Sequence, residues 1–245
     1  MEYVSKRAIR YGKYVDIYEY EKPYLRGYQI KKPAGRVFSK PESEKKTDFS
    51  LNRAHTAIRR IVNANPNLDK FVTLTFADWV NLSAHSSKGL NFEYVGNNED
   101  IAQCNQVFMK FCQRLKHVVS ENLQYFCVPE LQKSNTVHYH FLADLPFLEA
   151  PKLANIWRYG FVKINRVDKV SNIGAYVSKY LTKDNSKEKL SNKKAYFCSR
   201  NLKKPSEIPV IALDNMRLIT EKKIDFLETE YSGIVHFSIN RIIAE

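Results

Sequence analysis

The sequence is poor in glycine and lacks several patterns that would place it in a common class. Only 8 of its 245 residues are glycine, and no G-x-x-x-x-G-K-[ST] run occurs. A P-loop ATPase or helicase module is therefore not encoded here. There is also no N-terminal signal pattern, no long apolar run and no internal repeat. We therefore expect a cytoplasmic protein that does not contact membranes.

Cysteine is scarce as well and carries no paired spacing. The four residues Cys104, Cys112, Cys127 and Cys198 form no C-x-x-C motif, and three of them fall within predicted helix or strand. We expect them to be buried, reduced thiols of an intracellular protein.

Acidic residues are outnumbered by basic ones, which is the most informative feature of the composition. Lys and Arg number 39 against 26 Asp and Glu, a formal net charge of +13. Such a balance suits a polyanionic partner, most simply nucleic acid, although a merely soluble basic protein is the alternative. Hydrophobic residues at 44% indicate a globular chain with a core.

The order of the apolar patterns predicts an α+β fold: a central antiparallel sheet with flanking helices packed mainly against one face. We predict strands over 71–76, 123–132, 136–143 and 161–167, and helices over 53–62, 99–120, 149–157 and 172–182.

Three regions are expected along the chain. Residues 1–50 form a basic N-terminal arm of irregular or partly extended structure, which is a further candidate for contact with DNA. Residues 51–205 form the central domain. Residues 206–245 form a C-terminal extension on or beside it, with a helix around Glu221 and a strand near Gly233 to Ile239.

Two histidines lie on the predicted strand 136–143, which is rich in β-branched and aromatic residues. Alternate side chains on a strand share a face, so His138 and His140 point one way and Tyr139 points the other. Two neutral imidazoles side by side on a rigid strand supply half of a metal site.

The preceding strand, 123–132, places a carboxylate beside these histidines. The short connection between the two strands fits a hairpin turn. If that turn is centred on Ser134, Glu130 lies directly opposite His138, and directly opposed residues share a sheet face. Glu130, His138 and His140 are thus candidate metal ligands. The alternative is a half-exposed strand with two structural histidines and a solvated glutamate.

The predicted helix 172–182 carries the candidate nucleophiles. Tyr176, Lys179 and Tyr180 stand at positions i, i+3 and i+4, so all three can project over one patch. A tyrosine hydroxyl is a poor nucleophile at neutral pH, but a metal ion and a nearby cation make its attack on a phosphodiester feasible. The alternative is that both tyrosines are packing residues at the edge of the core.

In their order and spacing these motifs resemble the HUH-endonuclease superfamily, most closely the rolling-circle replication initiators of small bacterial plasmids and single-stranded DNA phages. The strand Phe71–Phe76 looks like the first family motif, and His138-Tyr139-His140 looks like the metal-binding second. Tyr176–Tyr180 looks like the third, in its two-tyrosine form. The resemblance covers roughly Lys70 to Pro205. Tyr139 departs from the bulky hydrophobe usual between the histidines, but its ring can still pack on the opposite face.

The resemblance implies an RRM-like nuclease core in residues 51–205, with the ligand-bearing strands central and the tyrosine helix beside them. Glu130, His138 and His140 would hold Mg²⁺ or Mn²⁺, and the ligand types also admit Zn²⁺. The substrate would be single-stranded DNA or an origin hairpin. The implied partners are the polymerase and helicase of a bacterial host.

The family chemistry would fall to the tyrosines. Tyr176 is favoured as the first nucleophile because single-tyrosine relatives share the Tyr-x-x-Lys arrangement. Tyr180 would be a second nucleophile or a packing residue, and Lys179 would stabilise the phenolate or the phosphate. Attack would leave a 5′-phosphotyrosine on the protein and a free 3′-hydroxyl on the DNA.

Two other functions fit the same residues. A transposase or relaxase of this superfamily would use the same chemistry, although relaxases more often carry three clustered histidines, which are absent here. A non-catalytic, basic DNA-binding protein would use the histidine pair only structurally.

The segment Ser199–Lys204 is a further candidate for DNA contact. It holds the three cations Arg200, Lys203 and Lys204 and the short polar residues Ser199 and Asn201. This composition favours contact with a phosphate backbone over core packing, and a solvated loop is the alternative.

Overall fold

The computed structural model describes residues 3–25, 43–77, 93, 96–132, 134–167, 172–181, 195–211, 218–226 and 237–244. The chain divides into two units, Glu44–Leu202 and the combination of Met1–Ser43 with Lys203–Glu245. Across the described residues, two antiparallel five-stranded sheets and four helices confirm the α+β class. Within these ranges, no helix is both long enough and apolar enough to cross a membrane.

The elements follow one another in this order: β1 (Tyr3–Tyr11), β2 (Tyr14–Leu25), α1 (Ser43–Asn63), β3 (Lys70–Thr75), α2 (Ile101–Val119), β4 (Tyr125–Leu131), β5 (Val137–Ala143), α3 (Ala150–Trp157), β6 (Val162–Arg166), α4 (Ile173–Ser178), a 3₁₀ turn (Lys179–Leu181), β7 (Phe197–Cys198), β8 (Ser206–Ile208), β9 (Leu218–Phe226) and β10 (Phe237–Ala244).

The helices and strands predicted between residues 53 and 182 are all present, with differences at their ends. Helix α1 begins at Ser43, well before the predicted start. Helix α2 begins after Asp100, whose carboxylate accepts hydrogen bonds from the backbone N–H groups of Ala102 and Gln103. The last helix is shorter than expected, because regular α-helix stops at Ser178 and continues only as the 3₁₀ turn.

The sheet of the Glu44–Leu202 unit has the strand order β6-β3-β5-β4-β7, so the histidine strand β5 is in the middle. Helices cover both of its faces, and the expectation that they pack mainly against one face was wrong. One core lies among α2, α3 and the sheet, and it includes Phe108, Phe111, Tyr139, Phe141 and Trp157. The reason is that β4 and β5 are buried at every position and therefore need cover on both sides.

A second core lies on the other face, between the sheet and helices α1 and α4. Its buried members include Ile58 and Val62 of α1, Phe71 of β3, Leu142 of β5 and Val177 of α4. Tyr176 and Tyr180 pack against this core as partly buried side chains. The tyrosine helix is therefore held on the face of β5 that also carries His138 and His140.

The two ends of the chain form one sheet, and residues 3–25, which we expected to be irregular or partly extended, form two regular strands. The strand order is β8-β1-β2-β10-β9, in which β2 pairs with β1 on one side and with β10 on the other. Ala8, Val15 and Ile17 form a small buried core. The expected arm and the expected extension thus belong to the same unit.

The helix predicted around Glu221 was also wrong, because this residue lies within strand β9. The strand expected near 233–239 is displaced to β10, which pairs with β9 along eight residue positions. Pairing with a partner strand outweighs the local helix propensity of a segment rich in Glu and Lys.

Helix α4 lies very close to α1 at Gly174. A β-carbon at this position would come within 2.5 Å of the Arg59 carbonyl oxygen and 2.8 Å of its α-carbon. The backbone N–H of Gly174 donates a 2.9 Å hydrogen bond to Oδ1 of Asn63 at the end of α1. Glycine is required here for this close approach of two backbones.

The cysteines divide into three buried thiols and one exposed thiol. Cys104, Cys112 and Cys127 are buried as expected, whereas Cys198 in the short edge strand β7 is exposed, contrary to expectation. Burial raises the pKa of Cys104 and of Cys112 to about 12, and raises the pKa of Cys127 well above its usual value.

The thiols should therefore differ sharply in reactivity. With Ellman's reagent at pH 8, we expect one thiol of the native protein to react quickly and all four to react in denaturant, because the thiolate is the reactive form. A Cys198→Ser variant should show no fast thiol while native. Fast reaction of a second thiol in the native protein would contradict the burial of the other three.

The contact at Gly174 predicts a loss of stability on substitution. Gly174→Ala should lower the free energy of unfolding of this unit by about 1–3 kcal/mol, because the added methyl group pushes α4 away from α1. Lys179→Ala, at an exposed position one turn later, should change it by less than about 0.5 kcal/mol. Urea unfolding followed by tryptophan fluorescence suits the comparison, since Trp157 is fully buried in the core of this unit. Equal stability of the two variants would contradict the close approach.

Candidate active site

The register of the central strands places a carboxylate against the histidine strand. Strands β4 and β5 are antiparallel, and Glu130 pairs directly with His138, as the position of the turn predicted. Asn135 in the connecting turn adopts a left-handed backbone conformation with φ 67°, which asparagine tolerates well. On the other side of β5, Thr75 pairs with His138 and Thr73 pairs with His140.

His140 is held from several sides. Its Nε2 forms a short contact with the Oε2 atom of Glu130. Its Nδ1 lies 3.5 Å from the hydroxyl of Thr73, at the outer limit of a hydrogen bond. The imidazole contacts two aromatic rings, with centroid distances of 3.7 Å to Tyr180 and 5.7 Å to Phe71. These contacts fix both the position and the tilt of the ring.

His138 lies on the same face but has a different partner. Its Nδ1 is 3.0 Å from the side-chain amide nitrogen of Gln132. In the part of the chain that the structure describes, no group of three or more His, Cys, Asp or Glu side chains has the arrangement of a metal site. The structure therefore brings Glu130 and His140 into contact, whereas His138 is engaged with Gln132.

The three predicted ligands still fit a divalent cation by donor type and burial. Glu130, His138 and His140 are 4%, 7% and 6% exposed, and they lie on one face of two adjacent strands. A cation among them would offset the cost of burying the Glu130 carboxylate. A 180° turn of the Gln132 amide would set its oxygen to accept from Nδ1–H of His138, which leaves Nε2 of that ring as a metal donor.

The tyrosine helix is fixed at its start by two asparagines. Oδ1 of Asn172 caps α4 by accepting a 3.0 Å hydrogen bond from the backbone N–H of Ala175. The same oxygen accepts a 3.0 Å bond from Nδ2 of Asn63, at the end of α1. Helix α1 therefore sets where α4 begins, although α4 itself is only six residues long.

The two candidate nucleophiles meet at their hydroxyl groups. The Tyr180 hydroxyl donates a 3.0 Å hydrogen bond to the Tyr176 hydroxyl. Phe71 contacts both rings, edge-on to Tyr176 at a centroid distance of 5.4 Å and stacked on Tyr180 at 5.7 Å. Of the two, Tyr180 is the tyrosine that stacks on His140.

The surroundings of Tyr180 favour its neutral form. Burial raises the pKa of the Tyr180 phenol, and the hydrogen bond to Tyr176 and the nearby charge of Glu130 raise it further. A phenol in this state holds its proton at neutral pH, so attack by its oxygen on a phosphate requires the help of a positive charge.

The predicted cations are all at the surface. Lys179, in the 3₁₀ turn, is exposed, as are Arg200, Lys203 and Lys204. Exposure at these four positions agrees with contact to a polyanion.

Both short polar residues of the same segment form hydrogen bonds within the fold, and the expectation of DNA contact was wrong for Ser199. Ser199 is buried, and its hydroxyl accepts a 3.0 Å hydrogen bond from the backbone N–H of Tyr125. The amide of Asn201 donates a 2.8 Å bond to the carbonyl oxygen of Asn122. These bonds attach the segment to β4 and to the turn before it.

Several residues around the site were not identified from the sequence. They are Phe71, Thr73 and Gln132, which contact the histidines, and Asn63 and Asn172, which position the tyrosine helix. Strand alternation could have found the first three: Phe71 and Thr73 share a face, and Gln132 is two positions from Glu130. The asparagine pair joins residues 109 positions apart, and no local pattern indicates it.

Comparison with known proteins gives one match. Residues 69–185 match the model of a family described as replication-associated protein ORF2. No curated protein and no solved structure matches the chain. The matched segment is just under half of the chain, and it includes β3, the β4–β5 hairpin and the tyrosine helix. Over these elements the chain is similar to a replication-associated protein family. This similarity agrees with a role as a replication initiator.

Proposed function

We propose that this protein initiates rolling-circle DNA replication by cutting and rejoining a single DNA strand through a phosphotyrosine intermediate. The observation that carries the proposal is the contact between the tyrosine pair and the histidine strand. Tyr180 stacks on His140, which in turn contacts Glu130, and the Tyr176 hydroxyl joins this group. The similarity of residues 69–185 to a replication-associated family supports a role in replication.

Glu130, His138 and His140 would hold a divalent cation, Mg²⁺ or Mn²⁺, with Zn²⁺ compatible with the same ligands. Such an ion would supply the positive charge that polarises the scissile phosphate and stabilises the charge that develops on it. Thr73 and Gln132 would orient the two imidazoles from their far sides.

The reaction assigned to the tyrosines is reversible. The phenolic oxygen forms a bond to phosphorus, the bond from phosphorus to the 3′ oxygen breaks, and the phenolic proton passes to that 3′ oxygen. The products are a 5′-phosphotyrosine and a free 3′-hydroxyl, from which a host polymerase can extend with a helicase opening the duplex. Attack of a 3′-hydroxyl on the phosphotyrosine rejoins the strand.

Two tyrosines have a use in such a cycle. One remains linked to the 5′ end while the other cuts the regenerated origin. Because the hydroxyls of Tyr176 and Tyr180 are 3.0 Å apart, either can occupy the place next to the phosphate with a small displacement. The exposed Arg200, Lys203 and Lys204 would contact the phosphate backbone. A transposase or relaxase would share the chemistry and differ in outcome.

A covalent adduct is the decisive test of this function. Oligonucleotides that tile the DNA around the coding gene, labelled at the 3′ end, should yield a labelled protein band that survives denaturation, whereas 5′-labelled ones should not. His138→Ala with His140→Ala, or removal of metal by EDTA, should lower adduct formation by about 100-fold or more. Binding should largely persist, because phosphate contacts dominate affinity.

The matched control is His117→Ala, since this histidine lies on the surface of α2. It should form a normal amount of adduct. Undiminished adduct in EDTA would contradict the metal assignment. Binding of single-stranded DNA with no adduct under any metal would instead indicate a non-catalytic DNA-binding protein.

The division of labour between the tyrosines gives a separate prediction. Tyr176→Phe and Tyr180→Phe should each still form adduct, and the double variant should form none, because the two hydroxyls converge on one place. Tyr196→Phe is the control, a half-buried tyrosine that stacks on Phe126. If Tyr176→Phe alone abolishes the adduct, Tyr180 is a packing residue, as the Tyr-x-x-Lys pattern allows.

A further inference from the structure

The edge strand β6 presents a basic and an amide side chain on the face that carries the histidines, and an exposed phenylalanine directly precedes the strand. Val162 and Ile164 of β6 pack against the core on the α2 and α3 side. Alternation along the strand therefore turns Lys163 and Asn165 to the opposite face, and both are exposed. Phe161, two residues before Lys163, is 39% exposed. We call Phe161, Lys163 and Asn165 the β6 edge.

Two rows of paired residues run from the β6 edge to the two histidines. Lys163 pairs with Thr73, which pairs with His140, so the α-carbons of Lys163 and His140 are two strand spacings or roughly 10 Å apart. The carbonyl of Phe161 accepts a hydrogen bond from the backbone N–H of Thr75, which pairs with His138. A ligand that extends from the histidines across Thr73 and Thr75 thus arrives at the β6 edge.

We propose that the β6 edge binds the DNA single strand beside the scissile phosphate, with a base on the ring of Phe161 and a phosphate at Lys163. This inference rests on the proposed function and adds the path of the substrate. An exposed phenylalanine next to a lysine matches the two chemical parts of a single strand, a flat base and an anionic backbone. Asn165 adds a hydrogen-bonding group for the sugar or phosphate.

The same chemistry discriminates single strands from duplexes. The face of a base is accessible to Phe161 only where the base is unstacked, whereas Lys163 attracts any phosphate. Phe161 therefore contributes to the preference for single strands, and Lys163 contributes to the salt dependence of binding.

The same unit supplies matched controls for both residues. Arg166 is an exposed cation on the same strand, but it pairs with Lys70 on the opposite face. Phe147 is an 88% exposed phenylalanine in the connection between β5 and α3. Substitution of either control to alanine removes a comparable group from the surface without affecting the β6 edge.

The test is a binding titration of the full chain with a fluorescent oligonucleotide in EDTA, repeated at several salt concentrations. Lys163→Ala should weaken binding and reduce the slope of log affinity against log salt by about 0.7, the value for one lost phosphate contact on a single strand. Phe161→Ala should weaken single-strand binding by about 5-fold or more, with an unchanged slope and little effect on duplex binding. Arg166→Ala and Phe147→Ala should stay within about 2-fold of the wild type.

The adduct assay distinguishes a failure of the β6-edge proposal from a failure of the proposed function. If the wild type binds and forms adduct while Phe161→Ala and Lys163→Ala behave like their controls, the β6 edge is not part of the substrate path and the proposed function stands. If the wild type neither binds single-stranded DNA nor forms adduct, both proposals are overturned. If Lys163→Ala and Arg166→Ala lower the binding affinity equally, the effect is one of general charge, and the assignment is also overturned.

Discussion

The antiparallel pairing of β4 with β5 decides which side chains can meet at the candidate site. With Glu130 opposite His138, the carboxylate lies on the histidine face and within reach of His140. A slip of the register by one residue would turn Glu130 to the other face, into the aromatic core around Phe108 and Tyr139. That core therefore protects the register, because no charged side chain can be accommodated among its rings.

Burial on both faces of the sheet explains how polar ligands persist in its centre. The face towards α2 and α3 is occupied by large apolar side chains, which leaves the opposite face to combine a smaller core with the site. Phe71 belongs to this smaller core and also touches His140, Tyr176 and Tyr180. The packing that stabilises the sheet is thus the same packing that positions the candidate catalytic groups.

Contacts between residues close together in the sequence could be predicted, whereas contacts between residues far apart in the sequence could not. The turn around Ser134 is short enough for strand alternation to place Glu130 opposite His138. The second sheet depends on pairing of β2 with β10, more than 200 positions away, and no local pattern indicates that the two ends of the chain pair. Ser199 was misjudged for a related reason, since its partner Tyr125 becomes a neighbour only in the folded chain.

The end of helix α4 shows how a small change of geometry affects the roles of neighbouring residues. Regular α-helical spacing through residue 182 would place Tyr176, Lys179 and Tyr180 over one patch. The helix instead tightens to a 3₁₀ turn after Ser178. The tyrosines still converge, because Tyr180 is held by its stacking on His140, whereas Lys179 is exposed. Contact with the histidine strand, more than helical periodicity, therefore determines which side chain of this turn lies at the candidate site.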